Sequence, residues 1–294
     1  MPTNIWQEIE TQLQSRLGER LILSDPVQVG GGSINEAYRL KSDGQSFFVK
    51  LNSAALLDMF EAEAAGLQAL RDAEALHIPE PLVWGASGSK AFLVMEYLDV
   101  GGAGSAAQLG EGLAAMHRCT GEQFGWHRDN TIGSTPQPNT PDKSWLHFWS
   151  EQRLGFQINL ACESGAARAL EERGGRLIEW LPAFMDGREP EPSLLHGDLW
   201  SGNYAFTQKG EPTIFDPAVY YGDRETDIAM TELFGGFGTD FYAAYNNAWP
   251  LDSGYALRKT LYNLYHILNH YNLFGSGYLS QAQNMMDRLL SEVR

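Results

Sequence analysis

The sequence predicts an α+β protein with two lobes, in which a small antiparallel sheet and one helix precede a mostly helical region. In the first hundred residues, short apolar segments are separated by turn residues, whereas later apolar residues recur at intervals of three and four. The 294 residues also suffice for two hydrophobic cores. We expect the first lobe over residues 1–98 and the second over residues 99–294.

The first lobe begins with an amphipathic helix, because apolar residues recur four apart from Ile5 onward. Gly-rich and Asp-Gly turns then separate short strands. We expect these strands over residues 26–31, 37–42 and 46–51. A helix over residues 55–77 ends at two prolines. Two more apolar strands, over residues 82–86 and 91–98, complete the lobe.

The glycine-rich residues 101–106 are the best candidate for the linker between the lobes. Helical spacing follows the linker. We expect these helices over residues 108–118, 144–163 and 167–185. Extended segments return over residues 193–203, 204–207 and 212–218, and apolar helical stripes fill the C-terminal part of the chain.

The charge of the chain excludes several kinds of partner. The net charge is −16, with 37 acidic and 21 basic residues, which argues against nucleic acid and against an anionic membrane surface. The N-terminus lacks a signal-peptide pattern, and every apolar run is shorter than the ~18 residues of a membrane span. We therefore expect a cytoplasmic protein. Cys119 and Cys162 do not have the spacing of a metal site or a disulfide framework.

The segment HGDLWSGN contains the spacing of a phosphoryl-transfer loop. Asp198 and Asn203 lie five residues apart, the separation at which a kinase Asp accepts a hydroxyl proton and the Asn oxygen binds magnesium. Asp216 follows at the end of an apolar strand and supplies a second carboxylate. Oxygen ligands of this kind suit Mg²⁺. We predict that Asp198 is the base and that Asn203 and Asp216 bind Mg²⁺.

A lysine and a glutamate upstream complete the pattern for ATP. Lys50 lies in the third strand, where its ammonium group can reach the α- and β-phosphates. Glu63 on the next helix can pair with it. Glu61 is a rival, but Glu63 shares its helical face with Phe60 and Leu67, so we prefer Glu63.

Two further segments are candidates for contact with the nucleotide. Backbone N–H groups in the glycine run can approach phosphates, although the run does not match GxGxxG and is by itself a weak signal. The segment LVMEYL places a strand edge beside the linker, as in a kinase hinge that binds adenine. The predicted nucleotide-binding residues of these segments are Gly31, Gly32, Ser33, Glu96, Tyr97 and Leu98.

With these motifs, the chain resembles the fructosamine kinase (ketosamine-3-kinase) family, which is related to the aminoglycoside and choline phosphotransferases and has the bilobal protein-kinase-like fold. The most specific segments are LLHGDLWSGN, IFDPAVYYGDRETDIAM and FGWHRDNTIGSTPQPN. The resemblance implies transfer of the ATP γ-phosphate to the 3-hydroxyl of a ketosamine, after which the unstable product releases its amine. It also implies that Trp200 faces the sugar.

Several alternatives stay open. In the second hypothesis, the chain phosphorylates another hydroxylated amine, of the aminoglycoside or choline type, instead of a ketosamine. In the third, it is a pseudokinase scaffold. A ketosamine acceptor can be a small molecule or a glycated protein. Asp223 and Arg224 can contact substrate or serve the structure. Some family members have cysteine where this chain has Ser33, so thiol regulation is not implied. His266 and His270, four apart, lack the third ligand of a zinc site.

Overall fold

The structure, a computed structural model, describes residues 4–30, 34–165 and 168–293. Contacts divide the chain into two compact units, residues 1–105 with 205–217 and residues 106–204 with 218–294. The division into lobes at residue 98 stays a prediction. The structure adds that the segment with Asp216 belongs to the same unit as the N-terminal sheet.

The strands are short and lie in both halves of the chain. They are β1 (Val27–Gln28), β2 (Glu36–Ser42), β3 (Gln45–Ser53), β4 (Pro81–Ser87), β5 (Lys90–Glu96), β6 (Asn130–Ile132), β7 (Thr135–Gln137), β8 (Ser193–Leu195), β9 (Tyr204–Phe206), β10 (Pro212–Ile214) and β11 (Tyr220–Gly222).

The α-helices lie mainly in the second half. They are α1 (Ile5–Leu17), α2 (Leu57–Asp72), α3 (Ala106–His117), α4 (Trp145–Trp149), α5 (Gly155–Glu163), α6 (Arg168–Glu179), α7 (Leu181–Met185), α8 (Glu225–Leu233), α9 (Thr239–Ala248), α10 (Tyr255–Phe274) and α11 (Leu279–Glu292).

The first unit contains a five-stranded antiparallel sheet in the order β1-β2-β3-β5-β4. Asp43 and Gly44, both with positive φ, form the tight turn between β2 and β3. Apolar side chains of the sheet pack against α1 and form a buried core. This core includes Ile9, Leu13, Leu40, Phe47, Val49, Phe92 and Val94. The packing fixes the register of β3 and therefore the position of Lys50.

The second unit is mostly helical. The long helix α10 packs against α5, α8 and α11, and α3 packs against α9. A π-helical turn over Ser150–Leu154 separates α4 from α5, so the helix predicted over residues 144–163 has a local irregularity. The helix predicted over residues 167–185 is divided at Trp180, because Pro182 begins a new turn and cannot continue the previous one.

Several predicted boundaries were wrong. The segment predicted to be extended over residues 212–218 is a strand only over Pro212–Ile214, before the left-handed backbone of Asp216. Helix α2 ends at Asp72 rather than near residue 77, and Glu74 then adopts a left-handed backbone. Strand β5 ends at Glu96, so Tyr97 and Leu98 lie outside the sheet. Only Ser193–Leu195 of the predicted strand 193–203 is extended, because residues 196–203, which we call the HGD loop, form turns. Within the described ranges, no helix has the length and apolar character needed to cross a bilayer.

Candidate active site

A buried lysine lies in the sheet of the first unit. Lys50 on β3 is opposite Ala37 of β2 and Leu93 of β5, and it is only 7% exposed. Its Nζ atom lies 2.5 Å from Oε1 of Glu63 on α2 and also donates to Oδ1 of Asp216. The structure therefore brings together three residues that the sequence assigned to nucleotide and metal binding.

The two carboxylates keep Lys50 charged in spite of its burial. Burial alone would lower the pKa of the ammonium group because it removes water from the charged form. The charges of Asp216 and Glu63, with the hydrogen bonds that Lys50 donates to them, outweigh burial and raise the pKa of Lys50. The lysine is therefore a cation at physiological pH, as a partner of ATP phosphates has to be.

Asp216 has an unusual backbone and an accessible side chain. Its φ of 57° lies in the left-handed region, which costs a residue other than glycine about 1–3 kcal/mol and is often found at functional sites. The side chain is 42% exposed while it accepts from Lys50. Asp216 thus combines a fixed position with room for a ligand at its carboxylate.

The HGD loop of the second unit is folded on itself. The Asn203 Nδ2 atom donates to the carbonyl oxygen of Asp198 at 2.8 Å, and Asn203 is 5% exposed. The same nitrogen lies 3.4 Å from Oδ2 of Asp198. These bonds commit the amide nitrogen of Asn203 to the loop, so the amide oxygen is the atom suited to bind a metal.

Asp227 holds the backbone immediately before Asp198. Its carboxylate accepts from the backbone nitrogens of His196 at 2.7 Å and Gly197 at 2.9 Å, and from Nε2 of His117 at 3.1 Å. Asp227 is 1% exposed. Burial raises its pKa, but the bonds and charges of His117 and the neighbouring groups outweigh this and leave the pKa of Asp227 lowered. The carboxylate therefore stays ionised and anchors the loop.

Gly197 allows the loop to approach its neighbour closely. Its φ is 82°, and a Cβ atom there would lie 2.0 Å from the carbonyl oxygen of Ala218. A side chain cannot fit without displacing this backbone. The glycine of HGD is thus required by close packing as well as by its backbone angle.

The residues after β11 have structural partners. Asp223 is fully buried and accepts from Arg188, at 3.0 Å from its Nη2, and from the hydroxyl of Tyr262 at 2.6 Å. Arg224 donates to the hydroxyl of Tyr245 at 3.0 Å and to backbone carbonyls. Of the two alternatives, these contacts favour a structural role for Asp223 and Arg224.

Trp200 lies on the surface of its unit. The side chain is 40% exposed, which excludes a core role. Its ring lies over Gly202, where an added Cβ would come within 2.3 Å of the ring. Trp200 thus presents an apolar face beside Asp198 in the sequence and is available for stacking.

The predicted hinge borders a charged pocket of the first unit. Glu96 and Tyr97 line a cavity of about 800 Å³, with polar partners that include Arg71, His77 and Glu80. The N–H of Glu96 donates to the carbonyl oxygen of Glu80 at 2.8 Å. That N–H is therefore occupied, and the adenine contact of this segment stays a prediction. The predicted phosphate-binding residues Gly31, Gly32 and Ser33 lie outside the described residues.

The two predicted metal ligands have oxygen donors of the type that magnesium prefers. Asn203 of the second unit has an amide oxygen and Asp216 of the first unit has a carboxylate, and their assignment to one metal site stays a prediction. In the described ranges, no group of three or more His, Cys, Asp or Glu side chains is placed to hold a metal. His270 donates from Nδ1 to the carbonyl of His266 at 2.7 Å.

Sequence reasoning missed the partners that hold the HGD loop. Neither His117 nor Asp227 was predicted to hold this loop. The contact between them spans 110 positions. Local spacing does not reveal such a pair. The position of His117 at the end of an apolar helical stripe was a signal in the sequence that could have been noticed.

The chain matches the family described as Fructosamine kinase over residues 5–292. It is 45% identical to a probable ketoamine kinase of Synechocystis, over 99% of both chains. It is 46% identical to the chloroplastic protein-ribulosamine 3-kinase of Arabidopsis thaliana, over 89% of this chain and 81% of that one. A crystal structure from Haemophilus somnus, assigned as a fructosamine-3-kinase, is 30% identical, with a TM-score of 0.88 over 97% of each chain.

More distant structures confirm the fold class. A choline kinase from Streptococcus pneumoniae has a TM-score of 0.66 at 14% identity, over 98% of this chain and 100% of that one. An aminoglycoside phosphotransferase has a TM-score of 0.62 at 16% identity, over 97% and 98%. These likenesses establish the bilobal α+β, protein-kinase-like fold that the sequence predicted.

Proposed function

The chain belongs to the fructosamine kinase family, and from this premise we propose that it transfers the γ-phosphoryl group of ATP to the 3-hydroxyl of a ketosamine. The acceptor oxygen forms a bond to the γ-phosphorus, the bond from that phosphorus to the bridging oxygen breaks, and ADP leaves. The hydroxyl proton passes to Asp198. The resulting 3-phosphate is unstable and releases the amine, so that the reaction reverses glycation.

Lys50 is the proposed partner of the ATP phosphates. Glu63 fixes the ammonium group on one side, while Asp216 occupies its other side in this structure. An incoming phosphate adds negative charge to a cation that already has a raised pKa, so the lysine remains protonated throughout. For the base of ATP, the carbonyl of Glu96 and the N–H of Leu98 are the proposed hinge contacts, with Tyr97 between them.

We assign the metal site to Asn203, through its amide oxygen, and Asp216, through its carboxylate. When bound, Mg²⁺ supplies positive charge that neutralises the phosphate oxygens. The strained backbone of Asp216 supports this assignment, because it holds the carboxylate at a defined point next to Lys50.

The observation that carries the proposal is the buried arrangement of Lys50, Glu63 and Asp216. A purely structural lysine is normally exposed, whereas Lys50 is buried with two carboxylates, of which one is accessible. The pseudokinase alternative is weaker, since the base, both proposed metal ligands and the phosphate-binding lysine are all present in the chain.

The ketosamine is favoured over other hydroxylated amines by the names of the similar proteins. Relatives at 45% and 46% identity are named ketoamine kinase and ribulosamine 3-kinase, whereas the aminoglycoside and choline enzymes share only the fold. The exposed face of Trp200 supports a sugar acceptor, since an indole packs well against the apolar face of a sugar ring.

A panel of acceptors tests the proposed function. The chain, with Mg²⁺ and ATP, should phosphorylate fructosamine and ribulosamine adducts of lysine, and NMR of the product should place the phosphate on oxygen 3. The matched control is the 3-deoxy adduct, which lacks only the expected acceptor hydroxyl and should give no product. Transfer confined to an aminoglycoside or to choline would contradict the ketosamine assignment. A glycated protein in the same panel distinguishes large from small acceptors.

A further inference from the structure

A buried polar cluster lies in the second unit and contains none of the residues with proposed chemical roles. We name it the Gln137 cluster. Each member is at most 9% exposed. The members are Asn130, Gln137, Asn139, Arg153 and Tyr265. Such a cluster is expensive unless its polar atoms are paired, so the pairs indicate what it does.

Gln137 is the centre of the cluster. Its Nε2 atom donates to Oδ1 of Asn130 at 2.8 Å and to the backbone carbonyl of Ala218 at 3.1 Å. Its Oε1 atom accepts from the hydroxyl of Tyr265 at 2.7 Å. Asn130 in turn donates to the carbonyl of Val219 at 2.8 Å. The cluster therefore holds two consecutive backbone carbonyls.

These carbonyls belong to the segment that supports the HGD loop. The N–H of Ala218 donates to the carbonyl of His196 at 2.8 Å, and the carbonyl oxygen of Ala218 lies against Gly197. Strand β11 then continues the contact by pairing with β8. On its other side, the same loop is bound by the carboxylate of Asp227. The backbone before Asp198 is thus fixed between two supports.

Arg153 makes the Gln137 cluster rigid. It is fully buried, with its guanidinium 4.0 Å from the ring centre of Tyr220 and 4.6 Å from that of Phe148. It donates to the carbonyl of Pro138 and to Oδ1 of Asn139, both at 2.6 Å. A buried charge is a costly way to fill a core, and its bonds fix Pro138 and Asn139, the two residues that follow Gln137.

We propose that Gln137 is a positioning residue for phosphoryl transfer. By holding Ala218 it fixes His196 and Gly197, and through them the place of Asp198. The kinetic part of this inference rests on the proposed function, whereas the structural part does not. The family-specific TPQPN segment then has a physical reason, since it carries the glutamine that reaches the backbone behind the HGD loop.

The test compares Gln137→Met with Gln157→Met. Both glutamines are buried, at 1% and 0% exposure, and both substitutions keep the length of the side chain. Gln157 bonds to Asn269 and Asn272, and it also contacts Tyr265 of the Gln137 cluster. It therefore controls for the loss of a buried amide that does not touch Ala218.

Hydrogen exchange and steady-state kinetics are the two readouts. In Gln137→Met, amides of residues 193–203 should exchange faster than in Gln157→Met at equal global stability. The kcat should fall by about 10- to 100-fold, as expected for a misplaced catalytic group, with KM for both substrates changed by less than about threefold. A merely structural role would lower stability without this local and kinetic pattern.

Equal exchange and equal kcat in the two variants would overturn the inference. If Gln137→Met does not fold, Gln137→Asn replaces it, because its amide is one methylene too short to reach Ala218. If the wild-type chain phosphorylates no ketosamine, the proposed function fails, while the exchange comparison still decides whether Gln137 holds the loop.

Discussion

The Lys50 region and the HGD loop are held by different forces. Lys50 is held by two charged side chains, Glu63 and Asp216, and one of these carboxylates is accessible. The backbone before Asp198 is held by hydrogen bonds, from its own N–H groups to Asp227 and from Ala218 to its carbonyl. Charged side chains can exchange partners when a phosphate arrives, whereas backbone hydrogen bonds keep a base in one place. The predictions below separate these two kinds of support.

The largest expected effect is the loss of the base itself. Asp198→Asn should lower kcat by about 10²- to 10⁴-fold, the usual contribution of a general base, with little change in thermal stability. A coupled assay for ADP release measures it. Asp186→Asn is the control, because Asp186 is exposed and its left-handed backbone tolerates asparagine. Near-normal turnover of Asp198→Asn would contradict the assignment.

Removal of the buried cation should mainly affect stability and nucleotide binding. Lys50→Met leaves Glu63 and Asp216 without their counter-charge, and we expect a loss of about 3–5 kcal/mol in the free energy of unfolding at pH 7. Burial already raises the pKa of Glu63. Because the pKa of this carboxyl is higher in the folded state than in the unfolded state, its protonation stabilises the folded state. The free energy of unfolding of the variant should therefore rise again as the pH falls.

Urea unfolding at several pH values measures this effect. The control is Lys90→Met, which breaks a pair with Glu36 whose side chains are 40% and 47% exposed. Such a pair contributes less than about 1 kcal/mol. Equal losses in the two variants would show that the burial of Lys50 has no energetic importance.

A smaller loss of stability is expected when Asp227, which supports the HGD loop, is replaced. The backbone N–H groups of His196 and Gly197 donate to different oxygens of Asp227. Asp227→Asn replaces one of these oxygens with an amide nitrogen, so one N–H loses its acceptor and the protein should be destabilised by about 2–3 kcal/mol at pH 7. The pKa of Asp227 is lowered in the folded state. Its contribution is therefore present above the unfolded pKa of about 3.9 and is lost as the pH falls through the folded value.

The free energy of unfolding of wild type should accordingly exceed that of Asp227→Asn by a constant amount near neutral pH. This difference should become smaller below about pH 4. Unfolding by urea at pH 7 and pH 3.5 tests this. Asp252→Asn is the control, since the pKa of Asp252 is also lowered, chiefly by its bond to Arg258, but its side chain is 48% exposed. If the free energy of unfolding of Asp227→Asn differed from that of wild type by the same amount at both pH values, the charge of Asp227 would not contribute to stability.

The smallest effect concerns the acceptor. Trp200→Ala should raise KM for the ketosamine by roughly tenfold, equivalent to about 1.4 kcal/mol of lost contact, and leave KM for ATP unchanged. Trp180→Ala, at a tryptophan that is 46% exposed, controls for the loss of a surface indole. An unchanged KM for the ketosamine would show that Trp200 does not contact the sugar.

Local patterns predicted much of the fold and of the candidate site. The turn at Asp43 and Gly44 and the helical face of Glu63 follow from neighbouring residues, and the structure places Glu63 against Lys50. The same kind of reasoning extended α2 and β5 too far, because element ends depend on the next contacts of the chain as well as on apolar spacing. It also found no role for Gln137, whose partners lie 81 and 128 positions away.

The sequence by itself determined the fold class and the family, because these depend on periodicity and on motifs within a few residues of one another. The tertiary structure decided which groups hold the chemical residues in place. Lys50 meets Asp216 across 166 positions, and His117 meets Asp227 across 110. Such contacts arise only when the elements pack, since burial and charge compensation are properties of the folded chain and leave no local pattern in its sequence.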